Sequence, residues 1–250
     1  MQVSALWRHP IKSHGRESIT RTSLTAGQTM PGDRLWAVIH ETTQPNAKTG
    51  DWASCHNFQI GARNPLLAGL WARLSDGMDQ ITLTHQALGE LSFNPDTPED
   101  QARFLTWIAP ICPETRSQPT GILRATARGM TDSDYPSVSI MTTASHNAVA
   151  QAIGGILEPE RWRGNIWLDG AAPWEEFDWI GHEIRIGTAL LRVEEPIGRC
   201  PHTTANPQTG ARDADTLGTL ERSFGHKNFG VYARVIEDGA IALGDEARLA

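Results

Sequence analysis

Short runs in which apolar and polar positions alternate make up most of this chain, and glycine, proline and aspartate punctuate them. Residues 3–7 alternate into Arg8-His9-Pro10 and read as a strand. Residues 35–39 form an apolar run after Gly32-Asp33, the pattern of a buried strand. Residues 70–75, 81–84 and 91–93 are separated by Asp76-Gly77 and Leu88-Gly89 and read as a meander. Thr97-Pro98-Glu99-Asp100 opens a helix, with a threonine cap, proline at the first position and acids in the first turn. Phe104, Leu105 and Ile108 lie on one side of it, and Pro110 stops it. Residues 112–136 are rich in Pro, Gly, Thr, Ser and Asp and read as a linker or an active-site loop. Beyond them, residues 138–142, 164–169, 183–194 and 229–236 read as strands. Residues 143–153, ended by Gly154-Gly155, and 215–224 read as helices, and Asp238-Gly239 reads as a hairpin turn. The pattern predicts a mainly β, α+β protein: an antiparallel, barrel-like core with a few helices.

Composition narrows the function classes. A net charge of −7 disfavours general nucleic-acid binding while leaving room for a local basic pocket. The three cysteines, Cys55, Cys112 and Cys200, are too few and too scattered for a disulfide framework, a zinc site or an iron–sulfur cluster. The start of the chain lacks a signal-peptide pattern, and no stretch has the length of a membrane span. A soluble, cytoplasmic protein without membrane or nucleic-acid partners is expected.

The candidate chemistry centres on Arg199-Cys200-Pro201. Proline pushes the residue before it toward extended geometry, so Cys200 is expected at a strand end or loop. A neighbouring cation favours a thiolate, which is both nucleophile and soft-metal ligand. A polar loop follows, with Thr203, Thr204 and Asn206-Pro207, and ends in Thr209-Gly210. Three passages, "RWRGNIWLDG", "GRCPHTTANPQTG" and "NFGVYARVIEDGAIALGDEARL", resemble the MOSC domain, the module named after the C-terminal part of molybdenum cofactor sulfurases. "ALWRHPIKSHGRE" and "GDRLWAVIH" resemble the β-barrel domain that precedes it in the amidoxime-reducing molybdenum proteins. The resemblance implies an N-terminal β-barrel domain over residues 1–111 and a MOSC antiparallel β-barrel over 112–250, with a cofactor in the cleft between them.

It also implies a molybdenum cofactor, a molybdenum-pyranopterin, with Cys200 as the metal ligand. A pterin phosphate needs cations and oriented N–H groups. Lys12, Ser13, Arg34 and Arg163 stand at matching positions, and Arg199 adjoins the cysteine. Thr143 and Ser145 sit where a strand meets a helix, although the family carries an acid at the first of these positions. Asn165 matches the family's Asn, with Gly164 in place of a proline. Thr203 and Thr204 are expected to line the site, with Asn206 where the family often has Asp. His202 is expected to be an exposed loop histidine, Asp132 and Asp134 solvated acids, and Cys55 and Cys112 dispensable.

The implied activity is reduction of an N-hydroxylated or related N-oxygenated small molecule. Electrons are expected from a separate reductase or ferredoxin-like protein, since no cluster-binding cysteines follow the last strand. The competing reading is a sulfur carrier or cofactor-handling protein with a persulfide on Cys200. A binding module without turnover is a third.

Overall fold

The computed structural model describes residues 1–250. The strands are β1 (Gln2–Arg8), β2 (Glu17–Ile19), β3 (Arg21–Leu24), β4 (Trp36–His40), β5 (Trp71–Leu74), β6 (Ile81–His85), β7 (Gly89–Phe93) and β8 (Pro119–Arg124). There follow β9 (Val138–Thr142), β10 (Ile166–Asp169), β11 (Glu183–Ile186), β12 (Ala189–Gly198), β13 (Asn228–Glu237), β14 (Gly239–Ala242) and β15 (Ala247–Leu249). The helices are α1 (Pro98–Ile108), α2 (Thr143–Ile153) and α3 (Thr216–Phe224). No helix is long and apolar enough to cross a membrane.

The largest sheet has the order β15-β11-β12-β13-β9-β10-β1-β2. It also returns on itself. Val3 N donates to Asp245 O and Gly244 N to Val3 O, both at 2.9 Å, and Gln2 bridges to Glu246. These bonds join β1 to the chain just before β15 and close the sheet into a barrel. Alternation fills the inside: Val138 and Ile140, Ile166 and Leu168, Ile184 and Ile186, and Val231, Ala233 and Val235 are all buried in one cluster. The outward residues Met141, Trp167 and Phe229 pack with Val149 of α2 and Leu220 of α3. β9 and β10 are parallel, unlike the other pairs in the sheet, because α2 carries the chain back between them.

The second unit holds β4 paired with β8, the meander β5-β6-β7, and α1. Its core gathers Trp36, Val38, Ile81, Leu83, Phe93, Phe104 and Ile122. Phe93 and Phe104 stack at 5.2 Å, and each large side chain so buried contributes roughly 1.5–3 kcal/mol.

The expected boundary at 111/112 does not divide the strands. β1 pairs with β10, placing the first strand in the C-terminal barrel, and β8 pairs with β4, so residues 119–124 belong with the N-terminal unit. The 112–136 stretch therefore contains a strand; its turn-forming residues flank and hide the short apolar run around Ile122. Asp238-Gly239 is not a hairpin turn either, because β14 leaves β13 and pairs with β3. Gly239 makes that crossing possible: a Cβ there would lie 2.2 Å from Ala189 N.

The loop after β1 is buried although it is rich in histidine. His9 and His14 are each 1% exposed. Burial is the main force pulling His9 down to about 3 and His14 to about 4. The unfolded chain protonates both rings below about pH 6.5. Between that pH and the folded values the unfolded state binds more protons, so stability rises with pH. Unfolding free energy is expected to fall as pH drops from about 6.5 toward 4, by up to about 1.4 kcal/mol per unit for each ring. Urea titrations across that range check it, and a flat profile contradicts it.

Gly230 gives a second test. It has φ +70, and a Cβ would lie 2.2 Å from Met141 Sδ and 2.7 Å from Ile140 O. Gly230→Ala is expected to cost about 2–4 kcal/mol, read as a lower urea midpoint.

Candidate functional site

A cavity of about 290 Å³ opens where the end of the barrel meets the N-terminal unit. Cys200 lies at its wall, just past the end of β12. Its backbone is extended (φ −113, ψ 172), as the following proline requires, and it caps the helical turn Pro201–Thr204. Cys200 O accepts from Thr203 N at 3.2 Å and from Thr203 Oγ1 at 3.1 Å, which holds the loop in shape. The thiol is exposed. Arg199 turns inward instead of standing free beside it. Its Nε donates to Phe229 O and its Nη1 to Trp162 O, both at 2.8 Å, and burial lowers it to about 10. Arg199 therefore braces the strand end that carries the cysteine.

Five cations line the cavity against one carboxylate: Lys12, Arg34, Arg161, Arg163 and Arg199, with Asp132. Lys12 Nζ donates to Met130 O at 2.8 Å and pairs with Asp132. The Asp132 side chain remains 59% exposed. Partial burial there works to raise its pKa, but Lys12 and then Arg34 and Arg163 outweigh it and hold the carboxylate below its usual range. Asp33 stands behind Arg34, pairs with it, and accepts from His9 N at 2.8 Å. Burial opposes the Asp33 charge, yet Arg34 and His9 keep its pKa depressed. His9 stays neutral, so its Nδ1 contact with Asp33 at 3.2 Å is a hydrogen bond and not an ion pair. Arg161 is occupied by Glu158 and Asp213, each at 2.7 Å.

Arg163 differs from the others. Its Nη1 donates to Gly15 O at 3.1 Å, but its Nη2 is buried and has no partner. Burial first, then Arg34 and Arg16, pull it down to about 9. Ser13, Arg34 and Arg163 all hold left-handed backbone, with φ of 62, 51 and 50. That conformation costs a non-glycine residue of order 1–3 kcal/mol and gathers at ligand sites. The three residues face one cavity.

Lys12, Ser13, Arg34, Arg163, Arg199, Cys200 and Thr203 thus come together on one cavity. The other sequence candidates lie outside it. Ser145 is fully buried at the start of α2: its Oγ donates to Glu176 Oε2 at 2.8 Å and accepts from Trp174 N at 2.7 Å. The Ser145 hydroxyl is thus taken up by the chain's own Glu176, and Thr143, at the same helix start, does not line the cavity either. Asn165 lies behind the cavity wall, accepting from Ser139 Oγ at 2.8 Å and donating to Trp7 O at 3.2 Å. Thr204 Oγ1 donates back to Pro201 O at 2.8 Å. Asn206 shapes the Pro207–Gly210 turn, accepting from Gln208 N at 2.8 Å and donating to Asp213 at 2.8 Å.

Other residues enter the cavity unexpectedly. Cys55 and Tyr232 line it, and Asp132 is the partner of a buried lysine, not a free surface acid. His202 is buried, with Nδ1 unpartnered; burial and then Arg163 lower it to about 3. Its ring occupies the space over Gly61, where a Cβ would come within 1.9 Å of Nδ1. In sequence, only the adjacency of His202 to Cys200 hinted at this placement.

Comparison with known proteins matches two consecutive stretches of the chain. Residues 129–248 match the MOSC domain, and residues 1–110 match the MOSC N-terminal beta barrel domain. Among curated relatives, the molybdenum cofactor sulfurase of Drosophila grimshawi is 34% identical over 120 residues, covering 44% of this chain and 15% of that protein. That of Anopheles gambiae is 37% identical over 82 residues, covering 32% of this chain and 10% of that protein. The chain thus spans at most about a seventh of the length of these two relatives. Among solved structures, the YUAD protein from Bacillus subtilis aligns over 98% of this chain and 93% of its own, at 14% identity and a TM-score of 0.44. The two family matches between them take in nearly the whole sequence, and the chain belongs to the family of MOSC-domain proteins.

Proposed function

We propose that this chain binds a molybdenum-pyranopterin in the cavity and reduces small N-hydroxylated or related N-oxygenated molecules. Electrons would come from a separate reductase or ferredoxin-like protein, in the cytoplasm. One observation carries the reading: an exposed thiol and a buried guanidinium with one nitrogen left unpartnered belong to residues that line the same cation-lined cavity. A soft metal with a phosphate-bearing organic ligand asks for that pair of donors.

The donor set fits the group. Cys200 offers a thiolate to the metal. Arg163 Nη2, which lacks an acceptor within the protein, can donate to a phosphate oxygen, with Lys12 and Arg34 adding charge. Met141, Trp162 and Ile197 supply an apolar wall that excludes water. The bound group supplies two-electron chemistry at the metal. The protein's part is to bind, orient and shield. Thr203 and Arg199 keep the cysteine loop rigid, and Asp132 at the mouth gives a carboxylate open to water.

A second reading keeps the same thiol and changes its cargo. The curated relatives are named molybdenum cofactor sulfurases, which favours sulfur transfer or cofactor handling with a persulfide on Cys200.

Molybdenum and pterin per chain, measured on protein from a host that makes the cofactor, test the first reading. Near-stoichiometric values are expected for the unaltered chain. Folded protein with neither, and with one extra sulfur on Cys200, favours the second. Cys200→Ala is expected to abolish metal content and reduction, whereas Cys112→Ala keeps both because Cys112 packs against the N-terminal core. Equal metal content in the two variants overturns the assignment. Arg163→Ala is expected to weaken pterin retention about tenfold to a hundredfold, the cost of a lost charge-assisted hydrogen bond. Dialysis followed by pterin fluorescence reads it, and unchanged retention counts against Arg163 as the phosphate donor.

A further inference from the structure

Cys55 has no place in the function proposed above, yet it lines the same cavity as Cys200. It begins the helical turn Cys55–Asn57 in the N-terminal unit. That turn is fixed in position. Thr43 Oγ1 donates to Asn57 O at 2.7 Å, His40 Nε2 contacts His56 O at 3.0 Å, and Gln59 N donates to Val38 O at 2.8 Å. The segment just beyond it is fastened to the cysteine loop. Arg212 Nη2 donates to Ala62 O at 2.8 Å, and its Nη1 reaches Thr204 Oγ1 at 2.6 Å and also Pro201 O. The His202 ring rests on Gly61. The two backbones that carry the thiols are thus locked together across one small space.

The two thiols differ in exposure. Cys200 is exposed and Cys55 is half-buried. Burial, and next the charge of Asp132, push the Cys55 thiol up, and Cys200 also acts on it through space. An exposed thiol that shares a cavity with a second, less exposed one is the arrangement of a peroxidatic and a resolving cysteine.

We propose that Cys55 is the resolving thiol for Cys200. A peroxide oxidises Cys200 to the sulfenic acid and leaves as the corresponding alcohol, or as water from hydrogen peroxide. The Cys55 sulfur then attacks the Cys200 sulfur. The S–O bond breaks, the Cys55 proton leaves with the hydroxyl as water, and a Cys55–Cys200 disulfide forms. Both electrons lost by the thiols go to the peroxide, and a dithiol reductant reverses the bond by exchange. The disulfide stops Cys200 from advancing to sulfinic and sulfonic acids, which such reductants do not repair. This chemistry needs no metal or pterin and stands apart from the cofactor reading.

The test uses the full chain from a host that cannot make the pterin, treated with hydrogen peroxide and read by intact mass and non-reducing peptide mapping. The expected result is a Cys55–Cys200 cross-link, lighter by two hydrogens and reversed by dithiothreitol. In Cys55→Ser, and equally in Cys55→Ala, Cys200 is expected to gain two or three oxygens that dithiothreitol does not remove. Cys112→Ser is expected to behave as the unaltered chain. Equal over-oxidation of Cys200 with and without Cys55, or a disulfide that uses Cys112, overturns the proposal.

Discussion

Like charges held close together out of water are the constraint around which this molecule is arranged. Lys12, Arg34, Arg163 and Arg199 converge on one cavity in a chain whose net charge is −7. Guanidinium groups lose hydration when buried and repel one another, and both effects must be offset by the fold. Asp33 answers for Arg34 and Asp132 for Lys12, while carbonyl oxygens of Gly15, Trp162 and Phe229 receive the rest. The offset is incomplete at Arg163 Nη2. Native interiors leave few such atoms unpaired, and a functional role or a bound water or ion is among the reasons when they do.

This arrangement explains why the two units are not separable lobes. Lys12 and Ser13 hang from β1, Arg34 precedes β4, Arg163 precedes β10, and Cys200 follows β12. Each stands at the end of a strand or in the turn beyond it, where side chains escape the barrel core. Left-handed backbone at Ser13, Arg34 and Arg163 turns three of these ends toward one point. Buried Arg16 ties the same corner, donating to Ala68 O at 2.6 Å and to Pro207 O at 2.6 Å. The two sides of the cavity are thereby pinned by hydrogen bonds that neither unit makes alone.

Much of the fold was legible from alternation. The strands filling the barrel carry period-two patterns with β-branched residues, and α1 shows its cap and its stop. What escaped notice depended on partners distant in sequence. β8 lies in a stretch whose composition signals a loop, and it is held by β4. β2 and β3 are short and largely polar, and only their neighbours define them. In the site, Arg199-Cys200-Pro201 stood out as a local motif, and Lys12, Arg34 and Arg163 through the family resemblance. Neither could reveal that Asp132 crosses to Lys12 or that Cys55 shares the cavity, because both follow from tertiary contact alone. The helix start at Thr143 and Ser145 departs from expectation for a related reason: Glu176, which accepts the Ser145 hydroxyl, comes from a distant turn.

The placement of β1 bears on biosynthesis. β1 leaves the ribosome before its partner β10 and before the residues around Gly244 that complete its other edge, which emerge much later. Until then Val3 and Leu6 have no barrel interior to enter, and Lys12 and Ser13 have no opposite wall. The meander and α1 contain local contacts and can form early; the barrel cannot close before the residues around Gly244 have emerged. Any guest of the cavity therefore meets a barrel in which β1 and the segment around Gly244 have already joined.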